Sequence, residues 1–446
     1  MKSEIKTYKH QDGEIQRVQI VRLDNWNGFS FVKPSYSLKA FEQFCYIYEN
    51  FIIASFPMIF GQMLLFTLPE DKEINIPHPD NEFEGIEDRF VLASIALNKG
   101  VKIIDHKPVF SDKETESFYH ELEENGCLKI ISGKRKYTKI IPVSHECGFL
   151  SETGNGKIKV NTSFFIMDFI DIATVFDSIG TPIGLMLKDG EIINPPLYDR
   201  ETLLVDKDFK VNIKKIRIED LKIEINGKDI SGKVYSRPAY KKTSKCDKDD
   251  LVIIGNKVKA IKHNGNCPVP ASGFVLRVDR GHDIKAEDTV TYKGLEHYEF
   301  ALQVGNSAIV NGFPTRKFIS PFYNLFKLGT VSFPPGLYPH NYAKDRAARI
   351  LLGSDKDDKP VIVWAEGAGK FGHIKGEESC GASLMEMADI AEDIGLINAI
   401  NLDGGGSAEI LIDNTRQLRL TDRKKEDDNE LERAIPIGLS YRDRIH

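Results

Sequence analysis

Residues 401–413 read NLDGGGSAEILID, an aspartate and three consecutive glycines set between two stretches of strand character. No other feature narrows the choice of fold so far. Glycine inside ordered structure costs roughly 0.5–1 kcal/mol relative to alanine. Three together at a strand end are therefore kept for what only a missing Cβ allows, positive φ or close approach of the backbone to another group. Successive amides in such a bend can form an anion-binding concavity, with phosphate the natural ligand. The run is not a P-loop, because no lysine follows the glycines and SAEILID reads as strand where a P-loop needs a helix. A dinucleotide fingerprint fails for the same topological reason. A loose hairpin turn is the competing structural reading.

The segments around it read clearly. SLMEMADIAEDIG opens on Ser383 with Glu386 three residues later, a capping box, and its apolar residues from Leu384 to Ile394 fall on one helical stripe that Gly395 can end. INAINL follows as a strand. From about residue 140 the pattern shortens into strands and turns. GTPIGLMLKDGEIINPP predicts strand, Asp-Gly turn, strand, and LLVDKDFKVNI repeats the arrangement; LVIIGNKVKAI, GFVLRVDRG and NSAIVNG continue the series. Residues 236–250, SRPAYKKTSKCDKDD, are polar and lysine-rich and predict a solvated loop.

The first 135 residues differ in texture. FIIASFPMIFGQMLLFTLP, residues 51–69, carries no charge and approaches the length of a membrane span. Pro57 and Gly61 interrupt it and its flanks lack a basic cluster, so buried strands or a broken buried helix are expected and a membrane is not. Helical spacing leads to Gly100, and a second helix is expected from Ser111 to Gly126. At 446 residues the chain exceeds the size at which a single core stops growing. The expectation is an α+β protein: a β-rich mixed domain with a few helices over 140–446, preceded by a smaller α/β domain over 1–135.

Composition narrows the function. A net charge of −6 argues against a broad nucleic-acid footprint, which needs clustered Lys and Arg. Cys45, Cys127, Cys147, Cys246, Cys267 and Cys380 form no C-x-x-C pair and read as reduced structural thiols. The start, MKSEIKTYKHQDGEIQRV, lacks the apolar core of a signal peptide, which makes cytoplasmic the expected location. His145-Glu146-Cys147 resembles a metal cluster only superficially, since neighbours on a strand point to opposite faces. His373 sits in a glycine-rich loop, GKFGHIKG, as a solvated histidine or a proton shuttle.

The block ESCGASLMEMADIAEDIGLINAINLDGGGSAEILID resembles the signature of the phosphodiester glycosidase family, in which a helix leads to an Asn-x-Asp-Gly-Gly-Gly-Ser loop. Asn401, Asp403, Gly404, Gly405, Gly406 and Ser407 match it. Further blocks follow the family's order. ARILLGSDKDDKPVIVWAEG puts Arg349 at the family's arginine and Glu366 where an aspartate is usual; QVGNSAIVNG places Gly305 and Asn306; VNTSFFIMDF sits at the Asn-Gly-Gly-Phe-Phe position with Asn161, Phe164 and Phe165 matched; ELERAIPIGLSYR supplies Arg433. Thr162 and Ser163 replace the paired glycines, which narrows or reshapes a pocket built for them. The resemblance spans roughly residues 140–442.

What the resemblance implies is hydrolysis of a sugar's C1–O bond where the leaving group is a phosphomonoester. Arg349 would clamp the phosphate, with amides of Gly404, Gly405 and Gly406 and the Ser407 hydroxyl beside it. Arg346 lies close enough in sequence to exchange places with Arg349. Asp403 would serve as nucleophile or electrostatic stabiliser and Glu366 as acid/base, or the reverse, their separation distinguishing retention from inversion. Asn161 and Asn306 would bind sugar hydroxyls. The implied partner is a sugar phosphodiester, free or glycan-borne, with no nucleic acid. No cofactor is expected, with a divalent cation near Asp403 left open. Two other classes stay open: a non-catalytic phosphoglycan-binding module, and a metal-dependent phosphodiesterase cutting P–O.

Overall fold

The computed structural model describes residues 1–35, 147–315, 344–424 and 427–442, apart from a few positions within them, together with short stretches between residues 64 and 141. Its framework is antiparallel. The largest sheet has seven strands in the order Lys2–Lys9, Ile15–Arg22, Pro360–Ala365, Arg349–Asp355, Leu396–Asn401, Ser307–Val310 and Phe313–Pro314. The central strands are apolar on both faces because both faces are covered. Ile350, Leu352, Ile362, Trp364 and Ile400 enter the main core, while Leu351, Val361, Val363 and Ala399 pack with Met387, Ile390 and Ala391 of the helix Leu384–Asp393. Each such side chain contributes roughly 1.5–3 kcal/mol of burial.

That helix begins as its sequence predicts. The Ser383 hydroxyl accepts from the Glu386 amide at 3.2 Å and the Glu386 carboxylate accepts from the Ser383 amide at 2.8 Å. Gly395, at φ +76°, ends it. The Asp-Gly hairpin also forms, between Met186–Lys188 and Glu191–Asn194, with Asp189 at φ +52° and Gly190 at φ +81°.

A second sheet orders Ile410–Ile412, Ile158–Asn161, Gly438–Tyr441 and Phe29–Val32. The glycine run therefore is not a hairpin turn. It joins Leu396–Asn401 of the large sheet to Ile410–Ile412 of the second, and forms the corner at which the chain changes sheets.

Among the described residues the chain is mostly β-sheet with one α-helix, in keeping with the β-rich α+β class expected, while two expectations need revision. The first thirty-odd residues do not stand apart with the rest of 1–135, since Val18–Arg22 pairs with Val361–Ala365 and Phe29–Val32 pairs with Gly438–Tyr441. The lysine-rich segment is a loop only as far as Ser244; Lys245–Ile254 is a ten-residue strand. Asp250 is fully buried there because Arg277 grips both its oxygens, Nε at 2.7 Å and Nη2 at 3.0 Å. Of the apolar run 51–69 only Leu64–Thr67 is described, as a strand. The expected helix ending at Gly100, most of the expected helix 111–126, His145 and Glu146 lie outside the described residues. No helix among the described residues is long and apolar enough to cross a membrane.

Candidate active site

The corner is held from three sides. The Leu402 amide donates to Ile350 O at 2.8 Å and the Gly405 amide to Ala348 O at 2.8 Å, tying the run to the arginine strand. The Asp403 amide donates to Thr162 O at 2.8 Å, and the Asn161 side-chain amide donates to Asp403 O at 2.9 Å. Gly305 N–H donates to Asn401 O at 2.8 Å and Asn401 N–H to Asn306 O at 2.9 Å, which bind the neighbouring strand to its foot. Gly305, Asn306, Asn161, Arg349 and the Asp-Gly-Gly-Gly-Ser run, matched in distant blocks of the sequence, thus meet at one place.

Each glycine answers a separate demand. Gly405 takes φ +58°, a left-handed value that side chains resist. A Cβ on Gly404 would fall 2.5 Å from Ala348 O, and one on Gly406 would fall 2.1 Å from Asp422 Oδ2 and 2.2 Å from Arg433 Nη2.

Asp403 is the chemically distinctive group. Burial raises its carboxyl from the ordinary aspartate value of 3.8 to about 6, against the opposing pull of the Ser407 hydroxyl, the Arg433 guanidinium, the Gly404 amide and Arg349. A carboxylate so poised titrates near neutral pH, and perturbed groups of this kind mark functional sites.

The other expected residues divide. Arg349 is buried beside the loop, its Cδ 3.6 Å from where a Gly404 Cβ would stand. Its Nε donates to Ala382 O and its Nη2 to Asp345 O, each at 3.2 Å, and these bonds fix the direction of the guanidinium. Arg346 does not take its place; it lies on Glu386, with Nη2 at 2.7 Å. The Gly404 amide donates to Asp403 Oδ1 at 2.9 Å and the Gly405 amide to Ala348 O, so neither is the phosphate donor expected. Asn161 braces the corner, its Oδ1 accepting from the Glu409 amide at 3.1 Å while its Nδ2 donates to Asp403 O. Asn306 keeps a partly exposed position.

Glu366 departs furthest from expectation. It is buried one residue past the Arg349–Ala365 pair, with Oε1 accepting from the Arg419 amide at 2.9 Å and Oε2 lying 3.5 Å from Arg17 Nη1. Among the described residues no hydrogen bond or ion pair joins it to Asp403. Both oxygens tie the N-terminal hairpin to the 419 segment, a bracing role. His373 faces Glu14 of the same hairpin at 2.8 Å. The Thr162 hydroxyl donates to Ile437 O at 3.2 Å, and the buried Ser163 hydroxyl has no hydrogen-bond partner among the described residues.

Sequence reasoning missed three acids. Asp422 holds Arg433 against the loop, at 2.9 Å from Nε and 2.8 Å from Nη2. Glu409 and Glu432 flank Arg416, which donates to both, and Ser151 donates twice to Glu432, at 2.8 and 2.6 Å. The only available signal was Glu409 itself, a charge in the otherwise apolar stretch SAEILI.

Burial, then the charge of Glu432, raises Glu409 from 4.5 to about 8. The folded chain thus binds more protons than the unfolded chain across that interval; the stability Glu409 contributes is complete below it and is lost as pH rises through about 8. Urea melts at about pH 6 and about pH 9 are expected to show this loss, and Glu409→Gln to reduce it. A wild-type stability that does not fall over that range would remove Glu409 from the account.

Among the described residues no group of three or more His, Cys, Asp or Glu side chains is arranged to hold a metal ion, and Cys147, Cys246, Cys267 and Cys380 are thiols outside any disulfide. Residues 222–441 match the family described as phosphodiester glycosidase. Over 69 residues the chain is 35% identical to mouse N-acetylglucosamine-1-phosphodiester alpha-N-acetylglucosaminidase, a match spanning 16% of this chain and 12% of that protein. A hypothetical protein from Synechocystis aligns with 98% of this chain and 61% of its own at 13% identity and a TM-score of 0.42. The zebrafish N-acetylglucosamine-1-phosphodiester alpha-N-acetylglucosaminidase catalytic domain, auto-inhibited by its pro-peptide, aligns with 55% of this chain and 82% of its own at 16% identity and a TM-score of 0.24.

Proposed function

We propose that this chain, whose residues 222–441 match the phosphodiester glycosidase family, is a hydrolase that cleaves the C1–O bond of a sugar-1-phosphodiester and releases free sugar and a phosphomonoester. The observation that carries the reading is Asp403, a desolvated carboxyl near neutral pKa on a braced corner, with Arg349 and Arg433 both acting on it.

The chemistry asks little else of the protein. A phosphomonoester leaves with the bonding electron pair far more readily than a sugar alkoxide, so a second carboxylate acting as acid is dispensable, and Glu366 is free to brace the fold. Positive charge develops at C1 as the bond breaks. Asp403, ionised above pH 6, stabilises or captures that centre, and water then completes the transfer, its oxygen bonding to C1 and its proton passing to solvent. Arg349 offers the phosphate a positive charge already fixed in direction, which removes reorganisation from the reacting step.

The test uses a panel of α- and β-linked sugar-1-phosphodiesters in oxygen-18 water. C–O cleavage leaves the phosphate unlabelled; a labelled phosphate would instead support P–O cleavage. Tight binding with no product would support a phosphoglycan-binding module.

A further inference from the structure

Arg433 and Asp422 lie directly on the backbone of the loop that carries Asp403. Arg433 Nε donates to Asp422 Oδ2 at 2.9 Å and Nη2 lies 2.8 Å from the same oxygen, with Asp422 buried and Arg433 partly so. The pair occupies the space a side chain at position 406 would need, 2.1 Å from Asp422 Oδ2 and 2.2 Å from Arg433 Nη2. A third glycine is therefore required for the ion pair to touch the loop. We propose that Arg433, gripped by Asp422 across the bare α-carbon of Gly406, is a positioning residue for the loop that presents the Asp403 carboxylate.

The inference rests on the reading of Asp403 as the reacting group. Four groups oppose the effect of burial on it. Arg433 faces Asp403 from the closing segment and Arg349 from the arginine strand, with the Ser407 hydroxyl and Gly404 amide completing the surround. Asp422 faces Arg433. The adjoining Glu432 is engaged by Arg416 and Ser151, and Glu409 by Arg416. Arg433 draws the Asp403 carboxyl down against the upward effect of burial, so its removal has a defined direction.

The experiment follows the Asp403 carboxyl by carbon-13 NMR titration of the full chain, beside the pH profile of kcat/KM, in wild type, R433Q and R433K. In R433Q both the titration and the acid limb are expected to move upward by on the order of one pH unit. R433K keeps a cation but loses the two-donor grip, and its shift is expected to be smaller and in the same direction. An unmoved Asp403 titration in either variant overturns the proposal, so R433K suffices if R433Q does not fold. A wild type that hydrolyses no sugar-1-phosphodiester, with the titration still displaced in R433Q, would defeat the proposed reaction while leaving the role of Arg433 in place.

Discussion

Asp403→Asn is expected to remove turnover and to stabilise the fold at the same time. The loss of rate should reach at least about 10²- to 10³-fold in kcat, the range associated with removing one electrostatic stabiliser of a transition state. The stability change has the opposite sign for a physical reason. The folded pKa lies above the ordinary aspartate value, so ionising Asp403 between 3.8 and about 6 progressively lowers stability, and at neutral pH the protein carries that penalty in full. A neutral amide does not ionise, and its oxygen can still accept from the Gly404 amide. Thermal melts at about pH 7 should therefore show a higher Tm in the variant and melts at about pH 3.5 little difference. A structural aspartate would behave otherwise, with activity and stability falling together.

Gly406→Ala is expected to be the most damaging single methyl in the corner. The added carbon would stand 2.1 Å from Asp422 Oδ2 and 2.2 Å from Arg433 Nη2, far inside van der Waals contact, so the pair must separate or the loop must move. Separating a fully buried pair costs about 3–5 kcal/mol, and this partly exposed one is expected to cost somewhat less. Gly405→Ala gives the internal comparison. At φ +58° with open space around it, alanine there should cost only about 1–2 kcal/mol of backbone strain. Urea unfolding of the two variants should rank them in that order. Equal losses would mean that the ion pair yields easily and does not set the loop.

The sequence made the corner visible because its information is local: three glycines in a row, a capping box on Ser383 and Glu386, an Asp-Gly hairpin. The loop's neighbours Arg349, Asn161 and Asn306 were found through ordered blocks whose resemblance carried their positions. Their use was another matter. Asn161 reads as a polar residue at a strand end whether its amide faces a ligand or spans Asp403 O and the Glu409 amide. Glu366 is captured by Arg17 and by the Arg419 amide, from segments 349 and 53 positions away. Nothing local distinguishes a carboxylate so captured from a catalytic one. The N-terminal hairpin was misplaced for the same reason, since strand pairing between Ile20 and Val363 leaves no periodic trace in either segment. Asp422 sits in the polar run LTDRKKEDDNELER, where burial of one acid among many is set entirely by tertiary packing.

The most direct measurement is a crystal structure of Asp403→Asn holding an intact sugar-1-phosphodiester. The anomeric carbon should lie about 3–3.5 Å from the side chain at position 403, with the phosphate on the Arg349 side of the loop. A ligand seated elsewhere, for instance in the cleft lined by Lys157, Lys159 and Asn414, with its anomeric carbon beyond reach of position 403, would contradict the account.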